Sequence, residues 1–432
     1  MELSELGIVG CGGAGFPTHV KLSAKNIDSL IVNGAECEPL LHKDKEILFH
    51  FTNQILSGIK FTLEMTGAKK AYLAVKKKYS SLLSHLEASC NVPWIQVLPL
   101  GDFYPSGDEY ELVYEATGKL IPFGGIPLDI GCVVSNVETL LNISRQKPFI
   151  TKFLTINGAV PNPITIEVPI GAKIGEILSL TGTTDWNGMT IIDGGPMMGR
   201  IIESPDEVVT KTCGGLLVIP SEHPFIKKIT RTSENNRFIA RSSCDQCTDC
   251  SELCPRHLLG YPINPHKAMR TAQMSQFESS NYSLDSIFCC ECGLCSLFAC
   301  PEDLPPREIA KMAKSHHLAS GAKLKDWPGN PMIHPMRSFR RVSISQLVKR
   351  IGLTEFDHPA PYSNRIPLVS KVRLPLKMHI GAPSVPIVKV GEKVIAGQII
   401  GKIPNGKLGA TLHSSIAGKV ELIDSNSITI SG

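Results

Sequence analysis

Two segments of this 432-residue chain concentrate cysteines, whose thiolates are soft ligands for transition metals. Together they hold nine of the fourteen cysteines. The first reads C-x2-C-x2-C-x3-C-P over positions 244–255, and the second reads C-C-x-C-x2-C-x4-C-P over positions 289–301. Three thiolates within seven residues let one tight loop bind three iron corners of a cluster, while the fourth ligand comes from elsewhere.

The first segment has the spacing of a bacterial [4Fe–4S] ferredoxin, so the chain is predicted to carry two [4Fe–4S] clusters. Zinc and disulfide bonds are the competing interpretations. Zinc favours two well-separated C-x2-C pairs or histidines at helical spacing, and three evenly spaced cysteines are too many for one tetrahedral site. Neighbouring C-x2-C cysteines are poor partners for long-range disulfides, and the sequence has no secretory signature. The spacing therefore favours iron–sulfur clusters.

In the second segment the spacing does not decide which of two adjacent cysteines is the first ligand. A register that starts at Cys289 restores the x2-x2 spacing and leaves Cys290 spare, whereas the alternative register starts at Cys290. In two-cluster ferredoxins the fourth cysteine of each motif binds the other cluster. That rule predicts two ligand sets: Cys244, Cys247, Cys250 and Cys300, and Cys254, Cys289, Cys292 and Cys295. The helix-friendly spacer HKAMRTAQMSQFES at 266–279 predicts a helical two-cluster module.

Composition places further limits on function. The chain is 42% hydrophobic and 19% charged, as in a water-soluble globular protein of about three domains. A formal net charge of +4 gives no reason to expect a nucleic-acid partner, and the run Lys76–Lys78 is interpreted as a solvated face. No stretch approaches the roughly 20 apolar residues of a membrane span, and the N-terminus does not resemble a signal peptide. We expect a cytoplasmic protein.

The N-terminal third predicts a mostly parallel, doubly wound α/β sheet, because apolar strands alternate with helical patterns. Five glycines fall within residues 7–15, where bare backbone N–H groups can approach an anionic or planar ligand. This loop is neither a dinucleotide-binding G-x-G-x-x-G nor a P-loop. The strand Ser29–Asn33 is followed by GAECEP, at the strand end where α/β sheets bind ligands.

Four motifs in this region resemble the flavin-binding subunit of bacterial NADH:quinone oxidoreductase and the C subunit of the Rnf electron-transport complex. They are GCGGAGFPTHVK at 10–21, NGAECEP at 33–39, YPSGDE at 104–109 and SNVETL at 135–140. The resemblance implies an FMN site that accepts hydride from NADH. The phosphate and ribityl chain would contact Gly10, Gly12, Lys21, Asn136 and Thr139. The isoalloxazine would lie among Asn33, Glu36, Cys37, Tyr104, Gly107, Asp108 and Glu109. Phe16 would stack on the nicotinamide.

Two positions depart from the oxidoreductase subunit, which has an acidic residue in place of Ala35 and a serine in place of Cys37. We interpret Cys37 as a packing residue, since a free cysteine usually behaves as a small hydrophobe. No catalytic residue is predicted beyond the cofactors. Four histidines without metal-ligand spacing are interpreted as surface residues: His316, His317, His334 and His358.

The sequence divides into five predicted units: a flavin-binding α/β domain at 1–150, a β-grasp domain at 151–236, a helical ferredoxin module at 237–318, a linker with an amphipathic helix at 319–370, and a barrel-sandwich hybrid at 371–432. The β-grasp unit resembles the soluble-ligand-binding (SLBB) domain of the same families. It has no cluster of ionisable residues, so we expect a structural or docking role. The turn Pro404–Lys407 lacks the neighbours of a carrier lysine, which argues against a swinging arm on the barrel.

The order of these units resembles the cobalamin reductases of propanediol-utilisation microcompartments, since the Rnf subunit has its barrel before the flavin domain. The resemblance implies oxidation of NADH at FMN and electron transfer through two [4Fe–4S] clusters to cobalamin, which reactivates a diol dehydratase. It further implies residence in a bacterial microcompartment, with an adenosyltransferase or shell proteins as partners. The alternatives are a peripheral subunit of an Rnf-type membrane complex and a non-catalytic electron-relay scaffold.

Overall fold

The computed structural model describes residues 2–242, 244–274 and 281–432. Elements of the N-terminal part are, in chain order, α1 Thr18–Leu22, β1 Ser29–Asn33, α2 Lys43–His50, α3 Thr52–Thr66, β2 Lys70–Lys76, α4 Ser80–Ser89, β3 Ile95–Leu100, β4 Phe103–Tyr104, α5 Glu109–Thr117, β5 Cys132–Asn136 and α6 Val137–Arg145. A parallel sheet forms in the order β3-β2-β1-β5. Successive residues of β1 face opposite sides, so Leu30 packs in a core with α3 and α6 while Ile31 packs in a core with α5. The predicted parallel sheet with helices on both faces is confirmed.

A second sheet follows, formed by β6 Thr151–Gly158, β7 Ile164–Pro169, β8 Met189–Asp193, β9 Arg200–Ile201 and β10 Gly215–Pro220. Their order is β7-β6-β10-β8-β9, with the central pair β6 and β10 parallel and the other pairs antiparallel. The helix α7 Ile174–Ser179 lies between β7 and β8 and packs its apolar side on one face of the sheet.

The cysteine-rich part is helical. Its α-helices are α8 Pro224–Ile229, α9 Ser233–Ser242, α10 Asp249–Glu252, α11 Pro255–Leu258, α12 Pro265–Gln273 and α13 Pro306–Ala319. A 3₁₀-helix spans Asn281–Phe288 and one turn of π-helix spans Cys295–Ala299. The predicted helical spacer is observed as α12, and its last residues, 275–279, lie outside the described residues. Both α12 and α13 begin with proline in the first turn. The N–H that proline lacks would have no partner within the helix at this position, so no hydrogen bond is lost.

The C-terminal part contains β11 Val342–Ser343, α14 Ile344–Arg350, β12 Tyr362–Ser363, β13 Lys371–Pro375, β14 Val385–Pro386, β15 Lys393–Val394, β16 Ile399–Lys402, β17 Leu412–His413, β18 Gly418–Ile423 and β19 Ser427–Ser431. Two small sheets, β13-β19-β18-β15 and β14-β16-β17, pack together as the barrel. β11 pairs with β4, and β12 extends the second sheet beside β7. The barrel also contacts the glycine-rich loop, because the Ile380 N–H donates to the Gly15 carbonyl at 3.0 Å.

Two side chains that were predicted to be solvated are buried. Lys76, the last residue of β2, is 1% exposed and lies 3.5 Å from Asp102. Burial lowers its pKa. His317 on the inner face of α13 is 5% exposed, lies 3.2 Å from the Ser283 hydroxyl, and has its pKa lowered by burial. Both predictions were wrong because a run of charges or histidines does not reveal which face of its strand or helix points inward.

Helix α3 approaches α6 so closely at Gly58 that an added Cβ would lie 2.0 Å from the Leu140 carbonyl oxygen. Gly58→Ala is therefore expected to destabilise the protein by roughly 1–3 kcal/mol through overpacking, although alanine has the higher helix propensity. Thermal unfolding of anaerobic protein would measure the change, with the exposed Ser57→Ala of the same helix as control. An unfolding temperature equal to that of the wild type would contradict the close packing.

Candidate functional site

A cavity of about 630 Å³ opens at the carboxyl ends of β1 and β5. Its volume lies within the range typical of small-molecule and cofactor sites. Of the thirteen residues predicted for the flavin and the nicotinamide, eight line the cavity: Gly12, Asn33, Glu36, Cys37, Tyr104, Gly107, Asp108 and Asn136. Five do not line it: Gly10, Phe16, Lys21, Glu109 and Thr139. The N–H of Gly10 donates to the Phe16 carbonyl at 2.9 Å and closes the base of the glycine-rich loop.

Three of these five residues lie behind the cavity wall and hold it in place. The ammonium of Lys21 donates to the Val134 carbonyl at 3.0 Å and lies 3.6 Å from the Glu109 carboxylate. The hydroxyl of Thr139 accepts the N–H of Cys11 at 2.9 Å and so ties the glycine-rich loop to α6. The structure therefore gives these side chains contacts within the protein that support the lining.

One end of the cavity is formed by backbone and by a helix N-terminus. Gly12 and Gly13 are exposed, and a Cβ at Gly13 would meet no atom within 4 Å. Asn136 caps α6, since its side-chain oxygen accepts the N–H of Glu138 at 3.0 Å. Free N–H groups and the positive end of a helix dipole together favour an anion such as a phosphate.

A chain of buried polar side chains lies directly beneath this end. The Asn136 amide donates to Asp44 at 2.8 Å, Asp44 lies 2.6 Å from Lys43, and Lys43 lies 3.3 Å from Glu138, which also pairs with Lys152. Although burial opposes the charge of Lys43, the carboxylates raise its pKa above the ordinary range. Lys43 and Asp44 were not predicted from the sequence. Their position at the start of α2, soon after NGAECEP, was the available signal.

Two carboxyl groups of the cavity wall titrate near neutral pH. Burial and the charge of Asp44 raise the pKa of Glu36 to about 8. Burial raises the pKa of Glu38 to about 7. The N–H of Met197, which donates to Glu38 at 3.0 Å, stabilises the ionised carboxylate and so acts in the opposite direction. The Tyr104 hydroxyl lies 3.5 Å from the other oxygen of Glu38. These carboxyl groups can hold or release a proton at the cavity.

The loop after β8 forms the opposite wall and was not predicted as part of a site. It contributes Asp193, Gly194, Gly195, Met198, Gly199 and Arg200. A Cβ at Gly195 would lie 2.1 Å from the Glu38 carboxylate, so only glycine permits this approach. This unit was expected to have a structural or docking role, and in the structure its loop also lines the cavity. Three glycines within DGGPMMGR were the available signal.

The first cysteine loop and a cysteine from the second segment surround a small cavity of about 20 Å³: Cys244, Cys247, Cys250 and Cys300. The sulfur of Cys244 accepts the amide of Gln246 at 3.1 Å, and the sulfur of Cys300 accepts the N–H of Leu304 at 3.4 Å. Within the described ranges, no three histidine, cysteine or acidic side chains converge closely enough to hold a single metal ion. Cluster thiolates, by contrast, each bind a different iron corner.

The remaining predicted thiols are all buried. Burial raises the pKa of the Cys295 thiol, and the neighbouring thiols of Cys289, Cys250 and Cys254 raise it further. The sulfur of Cys289 accepts the N–H of Glu291 at 3.4 Å. Cys254 is 7% and Cys289 9% exposed, whereas Cys247 is exposed to solvent.

The second cysteine loop also forms part of the wall of the large cavity. Cys290 and Cys292 both line it, and the Tyr104 hydroxyl donates to the Cys292 carbonyl at 2.7 Å. Asp108, which caps α5, accepts two hydrogen bonds from Arg256 at 2.8 and 3.1 Å. The N-terminal α/β domain and the cysteine module are therefore joined by one buried and two partly buried hydrogen bonds.

Replacement of Glu38 is expected to change how stability depends on pH. The folded-state pKa of about 7 lies above the ordinary 4.5, so the wild type loses stability as pH rises between these values. Glu38→Gln removes this loss, which amounts to at most about 3 kcal/mol. Its unfolding temperature relative to wild type should therefore be higher at pH 8 than at pH 5, while the exposed Glu355→Gln shows no such change. An equal difference at both pH values would contradict a buried, protonated Glu38.

Comparison with protein-family models gives three matches. Residues 3–145 match the Nuo51 FMN-binding domain, residues 243–305 match a 4Fe-4S dicluster domain, and residues 362–431 match the RnfC barrel sandwich hybrid domain. These matches confirm the predicted combination of a flavin-type α/β domain, an iron–sulfur module and a barrel-sandwich domain. No helix in the described part of the chain is both long and apolar enough to cross a membrane.

Several relatives and solved structures are similar over much of the chain. The NAD+-reducing [NiFe]-hydrogenase in the H2-reduced state shares the fold with a TM-score of 0.50 at 20% identity, covering 74% of this chain and 60% of that one. One component of the Na(+)-translocating ferredoxin:NAD(+) oxidoreductase complex of Acetobacterium woodii is 33% identical over 64% of this chain and 61% of its own length. Cobalamin reductase PduS of Salmonella typhimurium is 39% identical, and that of Citrobacter freundii 38%, each over 98% of this chain and 94% of the relative. The chain therefore belongs to the cobalamin reductase PduS family.

Proposed function

We propose that this protein is an NADH-dependent cobalamin reductase, which oxidises NADH at FMN and reduces the cobalt of cobalamin through two [4Fe–4S] clusters. Its product would restore the cobalamin cofactor of a diol dehydratase. One observation carries the proposal: Cys290 and Cys292 of the second cysteine loop line the cavity expected to hold the flavin. An adjacent flavin and cluster suit electron transfer, because flavin accepts a hydride pair and delivers single electrons.

The lining of the large cavity fits FMN. Gly12 and Asn136, at the glycine-rich loop and the N-terminus of α6, would hold the phosphate. The eight predicted residues that line the cavity keep their assignment to the flavin, and the three that lie behind its wall, Lys21, Glu109 and Thr139, are proposed to support it. Gly107 lets its segment pack closely against this wall, because any side chain there would collide with the Ala35 carbonyl, 2.6 Å from the Cβ position. Glu38 is proposed to hold a proton near the ring.

Both ligand sets are retained as proposals, with Cys289 in the second set. Backbone conformation supports this register, because residues at positive φ fall at the same places in both loops when Cys289 is aligned with Cys244. These residues are Gln246 and Thr248 in the first loop, at 61° and 70°, and Glu291 and Gly293 in the second, at 59° and 82°. A non-glycine residue seldom adopts this conformation, so the shared pattern reflects a shared loop shape. Alignment on Cys290 would shift the pattern by one residue.

The second sheet supports a β-grasp assignment. Numbered within the unit, its strand order is 2-1-5-3-4, with a parallel central pair and a helix between the second and third strands. The unit boundaries after residues 150, 236, 318 and 370 remain proposals. Residence in a microcompartment, and partners such as an adenosyltransferase or shell proteins, are proposed from membership of the PduS family.

Cofactor analysis of anaerobically purified protein tests the proposed function. We expect bound FMN, close to eight irons per chain from two [4Fe–4S] clusters, bleaching of the visible spectrum by NADH, and then reduction of added cob(III)alamin. Iron–sulfur absorbance without flavin bands would instead indicate the non-catalytic relay. Bleaching by NADH with no transfer to cob(III)alamin, but with transfer to a ferredoxin, would favour the Rnf-type alternative.

Serine substitutions test the ligand register. Cys289→Ser is expected to lose about half of the iron, as is Cys247→Ser, because each removes a ligand of one cluster. Cys290→Ser should keep the full iron content, as should Cys90→Ser, which replaces a buried cysteine outside the two segments. Iron and acid-labile sulfide per chain measure the outcome. Full iron in Cys289→Ser together with loss in Cys290→Ser would establish the other register.

A further inference from the structure

A second cavity, of about 660 Å³, lies between the loop after β8 and helices α8, α9 and α13. None of the residues proposed to bind the flavin or the clusters is among those that line it. Met198 and Gly199 line both this cavity and the flavin cavity. Glu291, which lies between Cys290 and Cys292 in sequence, also lines it. A molecule bound here would therefore lie beside the flavin cavity and against the second cysteine loop.

The lining of this basic cleft carries more positive than negative charge. Among the described residues it has five cationic side chains and two carboxylates: Lys228, Arg231, Arg237, Arg307 and Lys311, and Glu291 and Glu308. Some of these form pairs: Arg307 lies 2.6 Å from Glu308, Lys311 lies 3.3 Å from Glu291, and Lys228 lies 2.7 Å from Asp303 outside the lining. Lys314 and Arg350 also lie close to Glu291 and Asp303, so cations outnumber carboxylates around the cleft, which favours an anionic ligand.

Apolar side chains occupy the same cleft. Met198, Ile229 and Met312 line it, and Met198 is 58% exposed at the junction with the flavin cavity. Methionine side chains are flexible and polarisable, so they adapt to large irregular ligands. The cleft therefore suits a molecule with a bulky body and a single anionic group.

We propose that the basic cleft binds the corrinoid substrate, with its cationic side holding the phosphodiester of the nucleotide loop and Met198 contacting the macrocycle. This inference rests on the proposed function, which makes a corrinoid the electron acceptor. The phosphodiester is the ionised group of cobalamin outside the cobalt–corrin centre, so it is the part that a cationic wall would recognise. The position of the cleft beside the second cysteine loop suits an electron acceptor.

Calorimetric titration of the holoprotein with cyanocobalamin and with dicyanocobinamide tests the site, because cobinamide lacks the nucleotide loop and its phosphodiester. We expect cyanocobalamin to bind about tenfold more tightly, and Lys311→Gln to remove that advantage. Ser315→Asp adds a negative charge to the exposed lining of α13 without removing a cation, and should weaken cyanocobalamin binding to a similar extent. The exposed Lys60→Gln of α3 is the control and should bind both ligands as the wild type does.

Equal binding of the two corrinoids, or unchanged cyanocobalamin binding in Lys311→Gln and Ser315→Asp, would overturn the assignment. A loss of NADH affinity in these variants with cyanocobalamin binding intact would also overturn it, and would assign the cleft to the pyrophosphate of NADH. The proposed function fails separately, when the wild-type holoprotein reduces no cob(III)alamin with NADH. If both variants reduce cob(III)alamin at the wild-type rate, the proposed function stands and only the assignment of the cleft is contradicted.

Discussion

The hydrogen bond from the Tyr104 hydroxyl to the Cys292 carbonyl joins segments that are 188 residues apart. Tyr104 is 2% exposed, so its hydroxyl would lose a bonding partner if the second cysteine loop moved away. The Asp108–Arg256 pair makes a second connection from the same YPSGDE motif to the cysteine module. Because Tyr104 and Asp108 also line the large cavity, one short motif fixes the cavity wall and the position of the cysteine loop together.

Buried charge beneath the cavity is tolerated because every charge there has a partner. Lys43 and Lys152 converge on Glu138, which also accepts the N–H of Phe153 at 3.0 Å. Removal of one partner from such a set leaves an uncompensated buried charge, which is strongly destabilising. The set fixes α2 against α6, and thereby holds Asn136 in a single orientation at the end of the cavity proposed for the phosphate. When the donors of a site are already oriented before the ligand binds, less binding free energy is lost to ordering them.

Sequence predicted the features that depend on local pattern. The strand Ser29–Asn33 was placed correctly because a short apolar run flanked by polar residues specifies a buried parallel strand. Features that depend on contacts between distant segments were not predictable. Gly195 acts through its approach to Glu38, 157 positions earlier in the chain, and Lys76 is buried because its strand end faces inward. Resemblance identified Lys21 and Thr139 as part of the site, but only the fold showed that they lie behind its wall.

The longer interval between Cys295 and Cys300 shows how a ligand pattern can tolerate an insertion. In the first loop the Cys254 N–H bonds to the Ser251 carbonyl at 3.0 Å, whereas in the second the Cys300 N–H reaches the Cys295 carbonyl at 3.1 Å. The extra residue is thus absorbed in one turn of π-helix, the usual local outcome of a one-residue insertion in a helix. Cys300 still lines the small cavity of the first loop. What the motif specifies is the final position of the thiol, and a spacing rule describes only the commonest way to reach it.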